Sequence, residues 1–106
     1  MPRRSKPEVF SPEGAIDLHV SPELRASLLK VIDGKPKRLV VDLSRVPYVD
    51  SSGIAVLILA KQTLDEQGGR LLLASAQEPV RIILESARLD QYFQLFPTLE
   101  EAGSAR

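Results

Sequence analysis

The sequence contains no cysteine, and His19 is its only histidine. Without cysteine there can be no disulfides, thiolate metal sites or cysteine nucleophiles, and the absence is consistent with a reducing cytoplasm. A single histidine in a polar stretch is usually a surface side chain. The residue types that most often perform catalysis are therefore scarce.

The sequence also lacks a charge excess of either sign. Fourteen Lys and Arg residues balance fourteen Asp and Glu residues, so the formal net charge is zero. Proteins that bind nucleic acid by neutralising phosphates usually carry a basic excess. Arg3, Arg4 and Lys6 are expected to be solvated residues of the terminus, so we predict no nucleic-acid partner.

Long apolar runs are missing as well. The longest, Ile54 to Ala60, has seven residues, whereas a membrane-spanning helix needs about 20. The basic amino terminus has no apolar segment behind it, so it does not resemble a signal peptide. We predict a cytoplasmic protein without direct membrane insertion, with a flexible tip at 1–7 and a single domain at 8–106.

Strand and helix patterns alternate along the chain. Four apolar segments have the composition of strands: Val9 with Phe10, RLVVDL at 38–43, RLLLAS at 70–75 and YFQLF at 92–96. Helices are predicted to begin at a Ser21 cap, after Asp50, near Glu78 and after a Thr98 cap. Gly34 and Pro36 should end the first helix. This alternation predicts an α/β fold with a mainly parallel sheet.

No recognisable catalytic arrangement is present. A Ser–His–Asp triad could combine Ser51 and His19 with Asp42 or Asp50, but the glycine spacing of a nucleophile elbow is missing. The glycine pair at 68–69 lacks the further glycines and the lysine of a phosphate-binding loop. We therefore predict no enzyme activity, no cofactor and no metal site.

The segment VPYVDSSGIAVLILAKQ, at 46–62, combines a polar turn with an apolar run. An Asp or Ser at this position could simply cap the following helix, and the local pattern alone favours that interpretation. Alternatively, a serine at a helix N-terminus could accept a phosphate, which the helix dipole tolerates there.

The apolar run in this segment carries two stripes at helical spacing. Val56, Leu57, Ala60 and Leu64 form the first stripe, which we predict to be core, and Ile54, Ile58 and Lys61 form the second. The second stripe is either buried too or part of a docking surface beside the serines.

The sequence from about Gly14 to Ala102 resembles the STAS domain, and in particular the free-standing bacterial anti-sigma factor antagonists. The resemblance rests on GAID, SPELR, VVDLS, VDSSG, GGRLLL and RLDQYFQLFPTLEEA. It implies a STAS-like mixed sheet of four or five strands with helices mainly on one side, and a domain that is not catalytic.

The resemblance also implies a function by partner switching. The unmodified domain would bind an anti-sigma factor that is also a serine kinase, related to the histidine-kinase ATPase fold. Phosphorylation would release it, and a metal-dependent PP2C-type phosphatase would reset it. Ser51 takes the position of the family's phosphorylated serine. The implied partner-binding residues are Asp17, Asp50, Ser51, Ser52, Gly53, Ile54 and Ile58.

Two other functions remain as alternatives. The domain could be a non-switching scaffold in a lipid-transport ABC complex or a signalling assembly, or, less favoured, a small hydrolase. The chain also departs from the family pattern, because only 13 residues precede Gly14, where the family usually has a two-stranded hairpin, and Ala55 replaces a common glycine.

Overall fold

The computed structural model describes residues 6–105 and consists of four strands that alternate with four helices. The elements are β1 (Glu8–Phe10), α1 (Ser21–Asp33), β2 (Arg38–Asp42), α2 (Ser51–Glu66), β3 (Arg70–Ala74), α3 (Glu78–Ser86), β4 (Gln94–Phe96) and α4 (Leu99–Gly103). This order confirms the predicted α/β class. Most of the predicted flexible tip, residues 1–5, lies outside the described residues, so that prediction stays untested.

The four strands form one sheet in chain order, β1-β2-β3-β4, and each of its three strand pairs is parallel. The resemblance implied a mixed sheet, so the structure differs in this respect within residues 6–105. An antiparallel pair would require the family's additional hairpin strand. That strand would precede β1, where only Lys6 and Pro7 belong to the described part of the chain.

Both faces of the sheet are covered, which explains why its central strands are almost continuously apolar. Leu39, Val41, Leu71 and Leu73 point into a core that includes buried residues of α1, α2 and α3. Val40, Leu72 and Ala74 face the opposite side, where Ala102 of α4 packs on them. Three helices therefore lie on one side and one short helix on the other, which confirms the prediction of helices mainly on one side.

The short helix α4 is held by a buried arginine of the sheet. The Arg38 guanidinium donates hydrogen bonds to the carbonyl oxygens of Gly103 and Ala105, at 2.9 and 2.8 Å. Gly103 is the last residue of α4, whose final carbonyls have no intrahelical donors, and Ala105 lies just beyond the helix. Thr98 caps the other end by accepting from the Glu101 N–H, as the sequence predicted.

The prediction for the start of α1 was wrong in one detail. Ser21 is not the cap: it is the first helical residue and is buried, and Val20 occupies the capping position without a side-chain bond. Instead, the Asp17 carboxylate accepts from the backbone N–H groups of His19 and Val20. These donors precede α1, so Asp17 stabilises the turn that leads into the helix, and no side chain caps α1 itself. Gly34 ends the helix as predicted.

The longest helix is α2, with 16 residues. Its first stripe, Val56, Leu57, Ala60 and Leu64, is buried as predicted. Among residues 6–105, no helix combines the length and the apolar character that crossing a membrane requires.

Candidate functional site

The candidate site lies where the chain leaves β1 and β2, at the carboxyl-terminal edge of the parallel sheet. The segment after β1 runs beside the loop after β2, and Ile16 forms a parallel bridge with Val49. The Ile16 N–H donates to the Tyr48 carbonyl at 2.9 Å, and the Asp50 N–H donates to the Ile16 carbonyl at 3.0 Å. These bonds bring the turn that contains Asp17 next to the start of α2.

Asp50 caps α2 and connects it to that turn. Its Oδ1 accepts hydrogen bonds from the N–H groups of Ser52 and Gly53, at 2.8 and 3.2 Å, which satisfies two of the donors left free at a helix start. Its Oδ2 accepts from the Leu18 N–H at 3.1 Å. Of the two capping residues that the sequence allowed, aspartate or serine, the aspartate performs the role.

The surroundings of the Asp50 carboxylate favour its anionic form. The Ser52 hydroxyl contributes most to lowering the pKa of Asp50. Desolvation, the second-largest effect, opposes it, and the N–H donors of Gly53, Ser52 and Leu18 lower the pKa further. Asp50 therefore carries a full negative charge at neutral pH, immediately before the two serines.

The two adjacent serines have different environments. The Ser52 side chain is half-buried, and its hydroxyl donates to Asp50 Oδ1 at 2.5 Å. Ser51 is exposed at the first position of α2. Within residues 6–105 its hydroxyl makes no hydrogen bond. Ser51 is thus the serine whose oxygen is accessible and uncommitted.

Gly53 lies where the α2 backbone comes closest to the segment after β1. A Cβ at this position would be 2.5 Å from Val49 Cγ2 and 2.6 Å from Ile16 Cγ2, which is closer than side-chain atoms can pack. The glycine after the two serines therefore allows the two segments to touch.

The second stripe of α2 is neither fully covered nor free. Ile54 and Ile58 are half-buried and pack against the main core, while Lys61 lies 5.0 Å from the centre of the Tyr92 ring and pairs with Asp65. The two isoleucines are thus partly buried, as the first alternative predicted, and their exposed parts are still available for docking, as the second predicted.

Sequence reasoning missed three apolar side chains around the site. Leu18 is 74% exposed, Tyr48 47% and Val20 37%. Leu18 follows Asp17 in the turn, and Tyr48 lies two residues before Asp50. A lone apolar residue in a loop gives no periodic signal, so only the fold shows that the Leu18 backbone bonds to Asp50 and the Tyr48 backbone to Ile16, whereas Val20 lines a pocket beside α1.

The arrangement is not that of a catalytic triad. The Ser51 hydroxyl has no histidine partner in the part of the chain that the structure describes. In the same part, no three His, Asp or Glu side chains come together as metal ligands would.

Comparison with protein-family models decides the family. The STAS domain model matches residues 1–102 of the 106-residue chain. The chain belongs to the STAS domain family. The resemblance predicted from VVDLS and VDSSG is confirmed.

Bacterial proteins with related sequences align with most of this chain. The anti-sigma-F factor antagonist RsfB of Mycobacterium tuberculosis is 30% identical over 94 residues, which cover 89% of this STAS domain and 76% of RsfB. BtrV of Bordetella bronchiseptica, provisionally named an anti-sigma factor antagonist, is 28% identical over 93 residues, 88% of this chain and 80% of BtrV.

A solved structure has the same fold. The crystal structure of an anti-sigma factor antagonist from Mycobacterium paratuberculosis matches this STAS domain with a TM-score of 0.84 and 29% identity. The match covers 95% of this chain and 86% of the other.

Proposed function

We propose that this STAS domain is an anti-sigma factor antagonist that works by partner switching. In its unmodified form it binds an anti-sigma factor that is also a serine kinase. That kinase phosphorylates Ser51 and the complex dissociates, and a PP2C-type phosphatase restores the unmodified form. Similar proteins named anti-sigma factor antagonists support the partner class.

The observation that carries the proposal is the exposed, uncommitted Ser51 hydroxyl at the start of α2. A phosphate at the first position of a helix is favoured by the helix dipole, so the domain can accept the modification without refolding. The phosphate would add a charge of about −1.5 to −2, next to the carboxylate of Asp50.

The surface around Ser51 explains why such a charge would end binding. Exposed apolar groups of Leu18 and Tyr48 suit a partner that excludes water from this surface. A phosphate placed among them must lose its hydration when the partner docks. A loss of about 1.4 kcal/mol already lowers affinity tenfold.

The proposed partner surface contains the residues predicted from the family pattern and the apolar side chains added by the fold. The predicted members are Asp17, Asp50, Ser51, Ser52, Gly53, Ile54 and Ile58. Leu18 and Tyr48 extend the same surface, since the Leu18 N–H bonds to Asp50 and the Tyr48 carbonyl bonds to Ile16.

The test combines phosphate mapping with binding. The protein is isolated from its native cells under several growth and stress conditions, and its intact mass and phosphopeptides are measured. We expect one phosphate, on Ser51. Copurifying proteins are then compared for wild type, Ser51→Ala and Ser51→Asp. Ser51→Ala should retain a kinase-like anti-sigma factor without taking up phosphate, and Ser51→Asp should lose it.

A matched control places the same charge elsewhere. Ser86 is an exposed serine at the end of α3, and Ser86→Asp should keep the partner. If Ser51→Asp binds as well as wild type, the partner switch is wrong. If no condition yields phosphoserine and one membrane-complex or multi-protein partner is retained throughout, the scaffold function replaces it.

A further inference from the structure

The site contains two neighbouring serines, and a kinase could in principle phosphorylate either one. Both hydroxyls lie in the first turn of α2, only one residue apart, and a kinase that docks here meets both. Sequence position alone gives no physical reason for modifying one and not the other. The structure separates them by their hydrogen bonds and their exposure.

Phosphoryl transfer makes specific demands on the acceptor hydroxyl. The serine Oγ forms a bond to the γ-phosphorus of ATP while the bond from that phosphorus to the β,γ-bridging oxygen breaks. ADP leaves with that electron pair, and the hydroxyl proton passes to a base of the kinase. The acceptor oxygen must therefore reach the kinase and turn toward the phosphorus.

The Ser52 hydroxyl is not free to do this. It donates to Asp50 Oδ1 at 2.5 Å and is half-buried. The same Oδ1 also accepts the backbone N–H groups of Ser52 and Gly53, so the cap of α2 fixes its position. Turning the Ser52 oxygen toward a phosphoryl donor would break a hydrogen bond to a charged group, which is among the stronger kinds.

A carboxylate bonded to a hydroxyl can also act as a general base, which would favour Ser52 instead. The surroundings of Asp50 argue against that role. Hydrogen bonds from Ser52, Gly53 and Leu18 stabilise its anion, so its pKa is lowered and it is a weak base. The oxygen that would take the proton already accepts two backbone donors.

We propose that Asp50 is a positioning residue that selects the phosphate acceptor: it holds the Ser52 hydroxyl and thereby leaves Ser51 as the serine that a kinase modifies. This inference rests on the proposed function, because it requires that the site is phosphorylated. It adds the reason why only one of the two hydroxyls is used.

The test follows the phosphate in a Ser51→Ala background, where Ser52 is the remaining serine of the site. Variants replace the native gene, and phosphopeptide mapping measures the fraction of chains modified on Ser52. In Ser51→Ala alone we expect no phosphate on Ser52. In Ser51→Ala with Asp50→Gly we expect a modified fraction at least about tenfold above the detection limit, because the hydroxyl is released. Glycine is an acceptable capping residue, so α2 keeps its start.

The control is Asp50→Asn in the same background. The asparagine Oδ1 can still accept the Ser52 hydroxyl and cap the helix. It should therefore keep phosphate off Ser52, although it removes the charge. This conservative rescue separates a hydrogen-bonding role of Asp50 from a purely electrostatic one.

A measurement that needs no kinase accompanies the mapping. In the purified wild-type protein, NMR should detect a slowly exchanging Ser52 hydroxyl proton and no such proton for Ser51. Fast exchange at Ser52 would overturn the inference, whatever the variants do.

The outcomes distinguish the inference from the proposed function. Wild type without phosphate on either serine would overturn the proposed function, and the inference with it. Phosphate on Ser52 in wild type or in Ser51→Ala would overturn the inference alone. So would the absence of Ser52 phosphate from Ser51→Ala with Asp50→Gly when that variant still copurifies the kinase, since the released hydroxyl would then still be refused.

Discussion

Gly53 of α2 and Ile16 of the segment after β1 approach so closely that a Cβ on the glycine would lie 2.6 Å from Ile16 Cγ2. This contact sets the distance between the helix that carries Ser51 and the turn that carries Asp17. It gives a physical reason for the glycine that follows the two serines.

Replacing Gly53 with alanine should destabilise the domain. The added methyl group would meet Val49 and Ile16, and overpacking of this kind costs about 1–3 kcal/mol of the free energy of unfolding. Urea denaturation measures the change. Gly103→Ala is the matched control, because its Cβ would meet only Pro7 Cγ at 3.8 Å. The prediction fails if both variants are as stable as wild type.

The Asp50 carboxylate should make the stability depend on pH below about 4. Its pKa is lowered in the folded state, while in the unfolded chain it is near the usual aspartate value of about 3.9. Its contribution is therefore present above that value and is lost as the pH falls through the folded-state pKa. Denaturation midpoints of wild type and Asp50→Asn should differ near pH 7 and converge toward pH 2. A constant difference across this range would contradict the assignment.

Leu18 should contribute to partner binding without contributing to folding. It is 74% exposed, so Leu18→Ser should leave the unfolding free energy nearly unchanged, while it weakens binding of the copurified anti-sigma factor by about tenfold or more. Titration calorimetry with the purified anti-sigma factor measures its affinity for wild type and for Leu18→Ser. Leu99→Ser is the control, since Leu99 is also partly exposed but begins α4 on the other face of the sheet. Equal losses in the two variants would argue against a specific role of Leu18.

Arg38 should stabilise α4 and the face of the sheet that it covers. The residue is 9% exposed, and its guanidinium donates to the carbonyls of Gly103, at the end of α4, and of Ala105, which follows the helix. Arg38→Met should cost about 1–3 kcal/mol, because these half-buried acceptors lose a charged donor. Backbone amide hydrogen exchange should show the loss of stability first at the N–H of Ala102. Arg70→Met tests the neighbouring register position, where the guanidinium bonds to Gln94 at the surface, and it should cost less than about 1 kcal/mol.

The sequence allowed most of the fold to be predicted because each element has a strong local signal. RLVVDL and RLLLAS each have a continuous apolar centre since both faces of the sheet are covered, and the first stripe of α2 repeats at helical spacing. The cap of α1 was misassigned because Asp17, Val20 and Ser21 offer competing turn geometries, and the local pattern does not rank them.

The candidate site was predictable only in part. Asp50, Ser51 and Ser52 are adjacent in the chain, so the family pattern could identify them. The contact between Asp50 and Leu18 spans 32 positions, and the different hydrogen bonding of the two serines depends on side-chain directions. Neither follows from spacing, and both needed the folded arrangement.

The bridge between Ile16 and Val49 has a consequence for any reagent aimed at this surface. A synthetic peptide covering 46–62 would contain both serines and the aspartate, yet it would lack Ile16 and Leu18, which hold Val49 and Asp50 in the folded domain. An enzyme or an antibody that depends on the assembled surface would ignore such a peptide and bind only the intact domain. Modification at Ser51 would then occur only on folded chains. Copies that have not yet folded, or that have lost their fold, would not enter the regulatory cycle.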